Sequence, residues 1–236
     1  NCRSLLQAPK RAALKEWVKS KASRHPTVIF LQETWQRHPQ QWAPNGFGRP
    51  YAAALWNAFR DAPHPCRGVR ILVDGHAAKL DPLYACDEGR VILARLEWAP
   101  GDAWLVGSVY APTARGERPS FFRALHARLA ALLDANTDLR HRVVLGGDWN
   151  TALFSVDRVC QEDGDLALVG APELRALVSA LSLRDVWREL HPLHTAWTRV
   201  GQTSAARLDS ILASVPATAA ESLPAPIRSD HRCVTA

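Results

Sequence analysis

Two apolar runs, Arg90–Trp98 and Ala103–Tyr110, are separated only by Ala99-Pro100-Gly101-Asp102. A parallel pairing needs a crossover of a dozen or more residues, and a Pro-Gly turn this short has no room for one. The two runs therefore predict an antiparallel hairpin, and with it a sheet that is not built from regular βαβ units. The remaining periodicities agree. Pro9–Lys21 predicts a helix, with Pro in its first turn, Leu14, Trp17 and Val18 on one face and lysines on the other. Pro119–Leu133 predicts a second helix, carrying Phe121, Phe122, Leu125, Leu129, Leu132 and Leu133 at helical spacing, and Pro172–Leu181 a third. Short buried strands are predicted at Thr27–Leu31, Gly68–Val73, Arg142–Leu145 and Leu208–Leu212, with a last one just after His231. The stretch Gln36–Pro65, with its five prolines, reads as loop. Strands and helices mix without strict alternation, which favours a two-sheet α/β sandwich over a doubly wound parallel sheet.

A chain of 236 residues with 47% hydrophobic content has ample material for one large α/β domain. We expect residues 1–236 to form a single domain. The chain contains no Met and opens at Asn1 inside a motif described below, as expected of a domain cut from a longer polypeptide. No apolar run approaches the length of a membrane span. The five cysteines, Cys2, Cys66, Cys86, Cys160 and Cys233, are widely spaced and include no Cys-x-x-Cys pair, which argues against a disulfide framework or a zinc site and for an intracellular compartment. The net charge of +6 leans towards a polyanionic partner. Arginine supplies 24 of the 29 basic residues and suits bidentate phosphate contacts, although a GC-rich coding sequence is the better account of the ratio itself.

Three short strings carry the chemistry. Gly147-Asp148-Trp149-Asn150 follows the apolar Val143-Val144-Leu145, Glu33 lies in Leu31-Gln32-Glu33-Thr34 at the end of another run, and Ser229-Asp230-His231 stands near the C-terminus. Polar groups at strand ends are where sheet scaffolds often present catalytic residues. Taken together the strings read as one divided active site, suited to a divalent metal and a water held against a phosphate. Cleaving a phosphodiester requires a nucleophilic water, charge neutralisation at the phosphate and help for the leaving oxygen. Mg²⁺ takes oxygen ligands and needs only one or two protein carboxylates, and Glu33 is the candidate direct ligand. Asp148 and Asn150 alternate along one extended segment, so both are expected on the same side, the Asp acting on water and the Asn amide on a phosphate oxygen. His231 has an imidazole with a useful ordinary pKa and needs a carboxylate to set its tautomer, for which Asp209 is the best candidate. Tyr110 is a candidate donor to phosphate. Each string alone is ordinary: Gly, Asp and Asn are turn residues, and strand-end Glu and Tyr are common.

In combination the segments resemble the endonuclease/exonuclease/phosphatase superfamily, which includes exonuclease III-like repair enzymes and deoxyribonuclease I. The resemblance runs in order across the chain through Asn1-Cys2-Arg3-Ser4-Leu5, Leu31-Gln32-Glu33-Thr34, Val109-Tyr110-Ala111-Pro112, Gly147-Asp148-Trp149-Asn150, Arg207-Leu208-Asp209 and Ser229-Asp230-His231. It implies a four-layered α/β sandwich of the deoxyribonuclease I type, with two packed, mostly antiparallel sheets flanked by helices. It also implies that Glu33 binds the metal with help from Asn1, and that Asp230 lies beside metal and phosphate. Asp148 would handle the attacking water, Asn150 and His231 the phosphate oxygens, and Asp209 would orient His231. The division of general-base duty between Asp148 and His231 stays open. Mg²⁺ is the implied cofactor, with Mn²⁺ as a substitute.

Within the superfamily, Val109-Tyr110-Ala111-Pro112 resembles the nucleic-acid-cleaving branches. Many repair enzymes have an acidic residue where this chain has Arg3, and several have a pocket-forming Trp where it has Ala206. Leu-Gln-Glu-Thr-Trp, Val-Tyr-Ala-Pro-Thr and Gly-Gly-Asp-Trp-Asn instead resemble the endonuclease domains of non-LTR retrotransposon polyproteins. The resemblance implies a monomeric domain that nicks one strand of duplex DNA in the nucleus and leaves a 3′-hydroxyl primer for a reverse transcriptase in the same polypeptide. An abasic-site repair endonuclease of the exonuclease III type is the alternative. Gln36–Pro65, the Arg115-Gly116-Glu117-Arg118 turn and the hairpin-like Thr195–Ala206 are candidate DNA-facing loops, each of which on its own reads better as a plain solvated loop, with Arg115, Arg199 and Arg207 as candidate phosphate contacts.

Overall fold

The computed structural model describes residues 1–21, 27–35, 51–58, 66–74, 78–160 and 168–236. The chain packs as two compact units, one comprising Asn1–Tyr110 with Ala225–Ser229 and the other Ala111–Pro224 with Asp230–Ala236.

The first unit contains α1 (Ala8–Lys21), β1 (Thr27–Gln32), β2 (Tyr51–Asn57), β3 (Val69–Asp74), β4 (Lys79–Ala85), β5 (Val91–Glu97) and β6 (Ala103–Tyr110). β3 lies between β1 and β2 in one antiparallel sheet, while β4, β5 and β6 form consecutive antiparallel neighbours in another. The expected hairpin is present, with Glu97 opposite Ala103 and Val91 opposite Val109. Side-chain alternation explains why the β1 run is apolar throughout. Val28 and Phe30 join Val69, Ile71 and Val73 of β3 in a core shared with Ile92, Ala94, Leu96 and Val106 of the other sheet. Ile29, Leu31 and Leu72 face the opposite way, towards Leu14, Trp17 and Val18 of α1. A strand buried on both faces has no polar side to alternate with.

The loop expected over Gln36–Pro65 is corrected in part, because Tyr51–Asn57 forms β2, antiparallel to β3. The prolines that suggested loop lie outside that strand, and residues 36–50 and 59–65 lie outside the described residues. The strand β4 was not anticipated; it carries Pro82 and alternates weakly, as edge strands do.

The second unit contains α2 (Arg118–Ala135), β7 (Val143–Asp148), β8 (Arg158–Cys160), α3 (Ala171–Ala180), β9 (Arg184–Asp185), α4 (Val186–Leu190), β10 (Arg199–Val200), β11 (Ser204–Ala206), β12 (Asp209–Ala213), β13 (Glu221–Leu223) and β14 (Cys233–Thr235). β12 is flanked by β7 and β9 in one antiparallel array, β11 by β10 and β8 in a second, and β13 pairs with β14. Phe122, Leu125, Leu129 and Leu133 bury one face of α2, where Phe122 meets the enclosed Trp149. α3 packs on α2 at Gly170, whose φ is +89° and whose added Cβ would stand 2.6 Å from the Arg118 Cβ. Only glycine meets both demands there.

Candidate active site

In the first unit, β1 ends in a tier of polar side chains. Gln32, next in the alternation after Phe30, is buried, and its Nε2 donates to Ser108 Oγ at 3.1 Å, while Ser108 Oγ donates to the Leu31 carbonyl. The strand stops at Glu33, which has a left-handed backbone, φ +54°. Such a conformation costs a non-glycine residue on the order of 1–3 kcal/mol and persists where its surroundings enforce it. Here the enforcement is visible: Cys2, Ser4 and Leu5 donate backbone N–H groups to the Gln32, Glu33 and Thr34 carbonyls, and Thr34 N–H donates to the Gly68 carbonyl. Gly68, at φ +88°, has no room for a side chain, since a Cβ would stand 2.6 Å from Thr34 Oγ1.

The Glu33 carboxylate is held by two donors on one oxygen. Tyr110 OH donates to Oε1 at 2.7 Å and Asn1 Nδ2 at 3.0 Å. Tyr110 is itself placed by β6 and by Arg90, whose guanidinium lies over its ring at 5.4 Å and whose carbonyl accepts the Tyr110 N–H. Among the described residues Oε2 receives no hydrogen bond and Glu33 forms no ion pair. A carboxylate oriented by neutral donors through one oxygen is a hard oxygen ligand of the kind Mg²⁺ or Mn²⁺ takes, while Asn1 turns its Nδ2 to that carboxylate and its Oδ1 to the Arg3 N–H. The residues present fit the implied ion.

The second unit holds the other cluster. Asp148 ends β7 and Asp209 begins β12, and the antiparallel register sets the two directly opposite. Like charges so placed repel. His231 relieves the repulsion: its Nδ1 is 2.7 Å from Asp209 Oδ2 and its Nε2 is 3.9 Å from Asp148 Oδ2. All three are buried. Burial alone would push the Asp209 carboxyl up, but the His231 charge and hydrogen bonds from His231 and Thr198 outweigh it and hold the group below the usual carboxylate range. Burial would likewise lower the His231 imidazole, yet the Asp209 charge, the bond to it and the Asp148 charge raise it above its ordinary value. Ligand atoms of Asp148, Asp209 and His231 lie within 4.8 Å of one another, close enough for a chelate. The short contact commits Nδ1 and one Asp209 oxygen to each other.

The expected alternation of Asp148 and Asn150 on one extended segment is corrected. β7 ends at Asp148, and Asn150 turns left-handed at φ +51°, a region that Asn tolerates better than most residues. Its backbone N–H donates to Asp148 Oδ1 at 3.0 Å and its Nδ2 to the Ala111 carbonyl at 2.8 Å, while Ala111 N–H donates to the Asp148 carbonyl. The turn is the device that fixes the Asn amide relative to Asp148.

Asp230 sits beside the partly exposed Arg199, with Nε 3.4 Å from Oδ2, and Arg199 bridges His231 through its backbone. Arg115 lies half-buried on a 3-10 turn, Arg115–Glu117. Arg207 contradicts its expected contact with phosphate. It is buried, donates through Nε, Nη1 and Nη2 to Asp157 and Asp185, and stacks over Trp187 at 5.2 Å. Four of its N–H groups are committed to two carboxylates, and the fork cannot also grip DNA.

Sequence reasoning missed Thr198. It is fully buried, and its Oγ1 accepts from Leu208 N at 2.9 Å and Asp209 N at 3.0 Å. Its carbonyl accepts from Arg232 N, next to His231. One threonine thus ties the segments bearing Asp209 and His231, and nothing local in Thr-Ala-Trp-Thr-Arg marks it.

Residues 1–231 match the family model described as the Endonuclease/Exonuclease/phosphatase family, and the chain belongs to that family. It is 30% identical over 220 residues to the Transposon TX1 uncharacterized 149 kDa protein of Xenopus laevis, a match covering 89% of this chain and 16% of that protein. Among solved structures it resembles the AP endonuclease LMAP from Leishmania major, at TM-score 0.74 and 18% identity, over 97% of this chain and 83% of the other. It also resembles an AP endonuclease from Archaeoglobus fulgidus, at TM-score 0.75 and 16% identity, over 95% and 92%. The structural likeness shows the fold, an α/β sandwich of the deoxyribonuclease I type, as expected.

Proposed function

We propose that this chain is a metal-dependent DNA endonuclease that nicks one strand of duplex DNA and leaves a 3′-hydroxyl from which a reverse transcriptase in the same polypeptide primes synthesis. The observation that carries the reading is the buried set Asp209–His231–Asp148, with its 2.7 Å orienting contact, in a chain of this family. The transposon relative supports the retrotransposon context, and that protein is far longer than the matched region. Among the described residues no helix is long and apolar enough to cross a membrane. We infer a monomeric domain acting on chromosomal DNA in the nucleus.

Glu33 and Asn1 would hold Mg²⁺, with Tyr110 fixing the Glu33 carboxylate and Asp230 near the ion and the phosphate. Mg²⁺ when bound neutralises charge on the phosphoryl oxygens and favours an ionised water. Asp148, whose Oδ1 already receives the Asn150 N–H, takes the proton of the attacking water. Asn150 offers its amide to a phosphate oxygen. His231, raised by Asp209, keeps its proton to higher pH than a free imidazole and serves as donor to the phosphate. That direction favours Asp148 over His231 as the base.

The abasic-site repair reading has its own support in two structural neighbours that are AP endonucleases. Ala206, where several repair enzymes have Trp, speaks against it. A nicking assay on an intact duplex and on the same duplex with one abasic site, each with Mg²⁺ or EDTA, decides. Mg²⁺-dependent cleavage of intact DNA with little gain at the lesion is expected. Strong preference for the lesion would establish the repair reading, and no cleavage of either duplex would refute both.

A further inference from the structure

A buried cluster of ions surrounds Arg207. Arg207 forks onto Asp157 (Nε–Oδ1 3.0 Å, Nη2–Oδ2 2.7 Å) and onto Asp185 (Nη1–Oδ1 3.0 Å, Nη2–Oδ2 2.7 Å). Arg188 adds a second cation, donating to Asp157 through Nη2. The indole of Trp187 lies under both guanidinium groups, at 5.0 Å and 5.2 Å. Two arginines and two aspartates balance in charge, which is the condition under which ions remain charged in a protein interior.

What the cluster holds is the approach to Asp209. Arg207 N–H donates to the Asp157 carbonyl at 2.9 Å, so side chain and backbone of Arg207 are both anchored on Asp157. The next two residues are fixed as well, Leu208 N and Asp209 N by Thr198 Oγ1, and the Leu208 carbonyl accepts from Trp149 N. Three consecutive backbone N–H groups, 207 to 209, thus have fixed acceptors, and the third belongs to the residue whose carboxylate lies 2.7 Å from His231 Nδ1. Arg188 extends the same cluster to the following loop, where its Nη1 reaches the carbonyls of His191, Pro192 and His194. Asp185 also caps α4, accepting from Arg188 N.

We propose that the Arg207–Asp157–Asp185–Arg188 cluster positions the Asp209–His231 pair, and that Arg207 acts on nicking through the backbone of residue 209 and not by touching DNA. This rests on the assignment of Asp209 and His231 to nicking. Arg207 is a positioning residue, and a displacement of Asp209 by a fraction of an ångström would loosen the imidazole without altering DNA affinity.

Two variants test it. Arg207→Lys keeps the charge and removes the fork. Asp185→Asn keeps the helix cap, which Asn supplies as well as Asp, and weakens one fork. Each is compared with wild type by the NMR signal of the His231 ring N–H in the free protein, by kcat and KM for nicking, and by the salt dependence of duplex binding. We expect the N–H signal to move or broaden in both variants and kcat to fall on the order of 10- to 100-fold. KM and the salt slope should stay at wild-type values. A rise in KM with the salt slope reduced by about one and kcat retained would place Arg207 on a phosphate and overturn the proposal. A lower melting temperature with kcat and the N–H signal unchanged would make the cluster merely structural, which also overturns it. If Arg207→Lys does not fold, Asp185→Asn carries the test. If the wild-type protein does not nick DNA, the nuclease reading fails on its own, and the N–H signal still decides whether the cluster sets the pair.

Discussion

The two polar clusters are built on opposite electrostatic plans. Around Glu33 the partners are neutral, the Tyr110 hydroxyl and the Asn1 amide, and both use the same carboxylate oxygen. Around His231 the partners are charged and buried, and each group shifts the ionisation of the next. A carboxylate oriented by neutral donors through one oxygen can turn the other to a cation from solution. An imidazole wedged between two carboxylates is instead prepared to hold and pass a proton. On the proposed function, metal chemistry falls to the Glu33 cluster and proton chemistry to the His231 cluster.

The largest effect is expected on the proton side. Asp148→Ala and His231→Ala should each lower nicking by on the order of 10²- to 10⁴-fold while duplex binding and the circular dichroism spectrum are retained. Activity within a few-fold of wild type in either variant would remove that residue from the chemistry.

On the metal side the signature should differ in kind. Glu33→Gln should raise the Mg²⁺ concentration needed for half-maximal nicking, and that need should exceed the change in rate at saturating Mg²⁺. Tyr110→Phe, which removes the 2.7 Å donor and leaves the carboxylate, should weaken metal affinity by roughly 10- to 100-fold, as loss of an outer hydrogen bond to a ligand does. Titration of the free protein with Mn²⁺, followed by paramagnetic relaxation, separates this from an effect on catalysis. Wild-type affinity in both variants would show that the Glu33 cluster is not the metal site.

The pair Asp209–His231 also makes a stability prediction with a definite pH window. The His231 pKa is raised on folding, so its contribution is complete below the unfolded imidazole value, about 6.5, and is lost as pH rises through the higher folded value. The Asp209 pKa is lowered, so its contribution is complete above about 3.9 and is lost as pH falls through the folded value. The two windows overlap between them. Asp209→Asn should therefore cost on the order of 2 kcal/mol near pH 5.5, measured by urea unfolding, and progressively less towards pH 9. A cost that does not change across that range would mean the pair is not ionised as described.

What was legible from sequence follows from what each feature depends on. Glu33, Asp148, Asp209 and His231 sit in short strings at strand ends, and a strand end is marked by the change from apolar run to polar cluster. The hairpin of β5 and β6 was equally plain, since its turn is contiguous. Arg207 was misjudged because the motif Arg-Leu-Asp is silent on whether the guanidinium meets DNA or Asp157 and Asp185, which come from 50 and 22 residues away. Thr198 escaped notice for the same reason: its partners are 10 and 11 residues on, across a hairpin. The alternation expected of Asp148 and Asn150 is a left-handed turn instead, in which the Asn150 backbone N–H meets Asp148 Oδ1. Local pattern located the groups proposed to react. The groups that hold them are set by tertiary pairings with no local signature.

The smallest predicted effect concerns the exposed ion pair of Arg199 with Asp230. Asp230 belongs to the same short string as His231, but its partner is a cation at 3.4 Å with about half its side chain exposed. A pair of that kind contributes at most about 1 kcal/mol to stability, so Arg199→Gln should leave the unfolding midpoint nearly unchanged. If Arg199 faces phosphate, the same variant should weaken binding to all duplexes alike and reduce the salt slope by about one. If its service is instead to balance Asp230, removing it should leave the salt slope alone and tighten metal binding, since the carboxylate then meets less competing charge. The two outcomes exclude each other in one titration series, and the first is expected because β10 is a two-residue edge strand with its side chains in solvent.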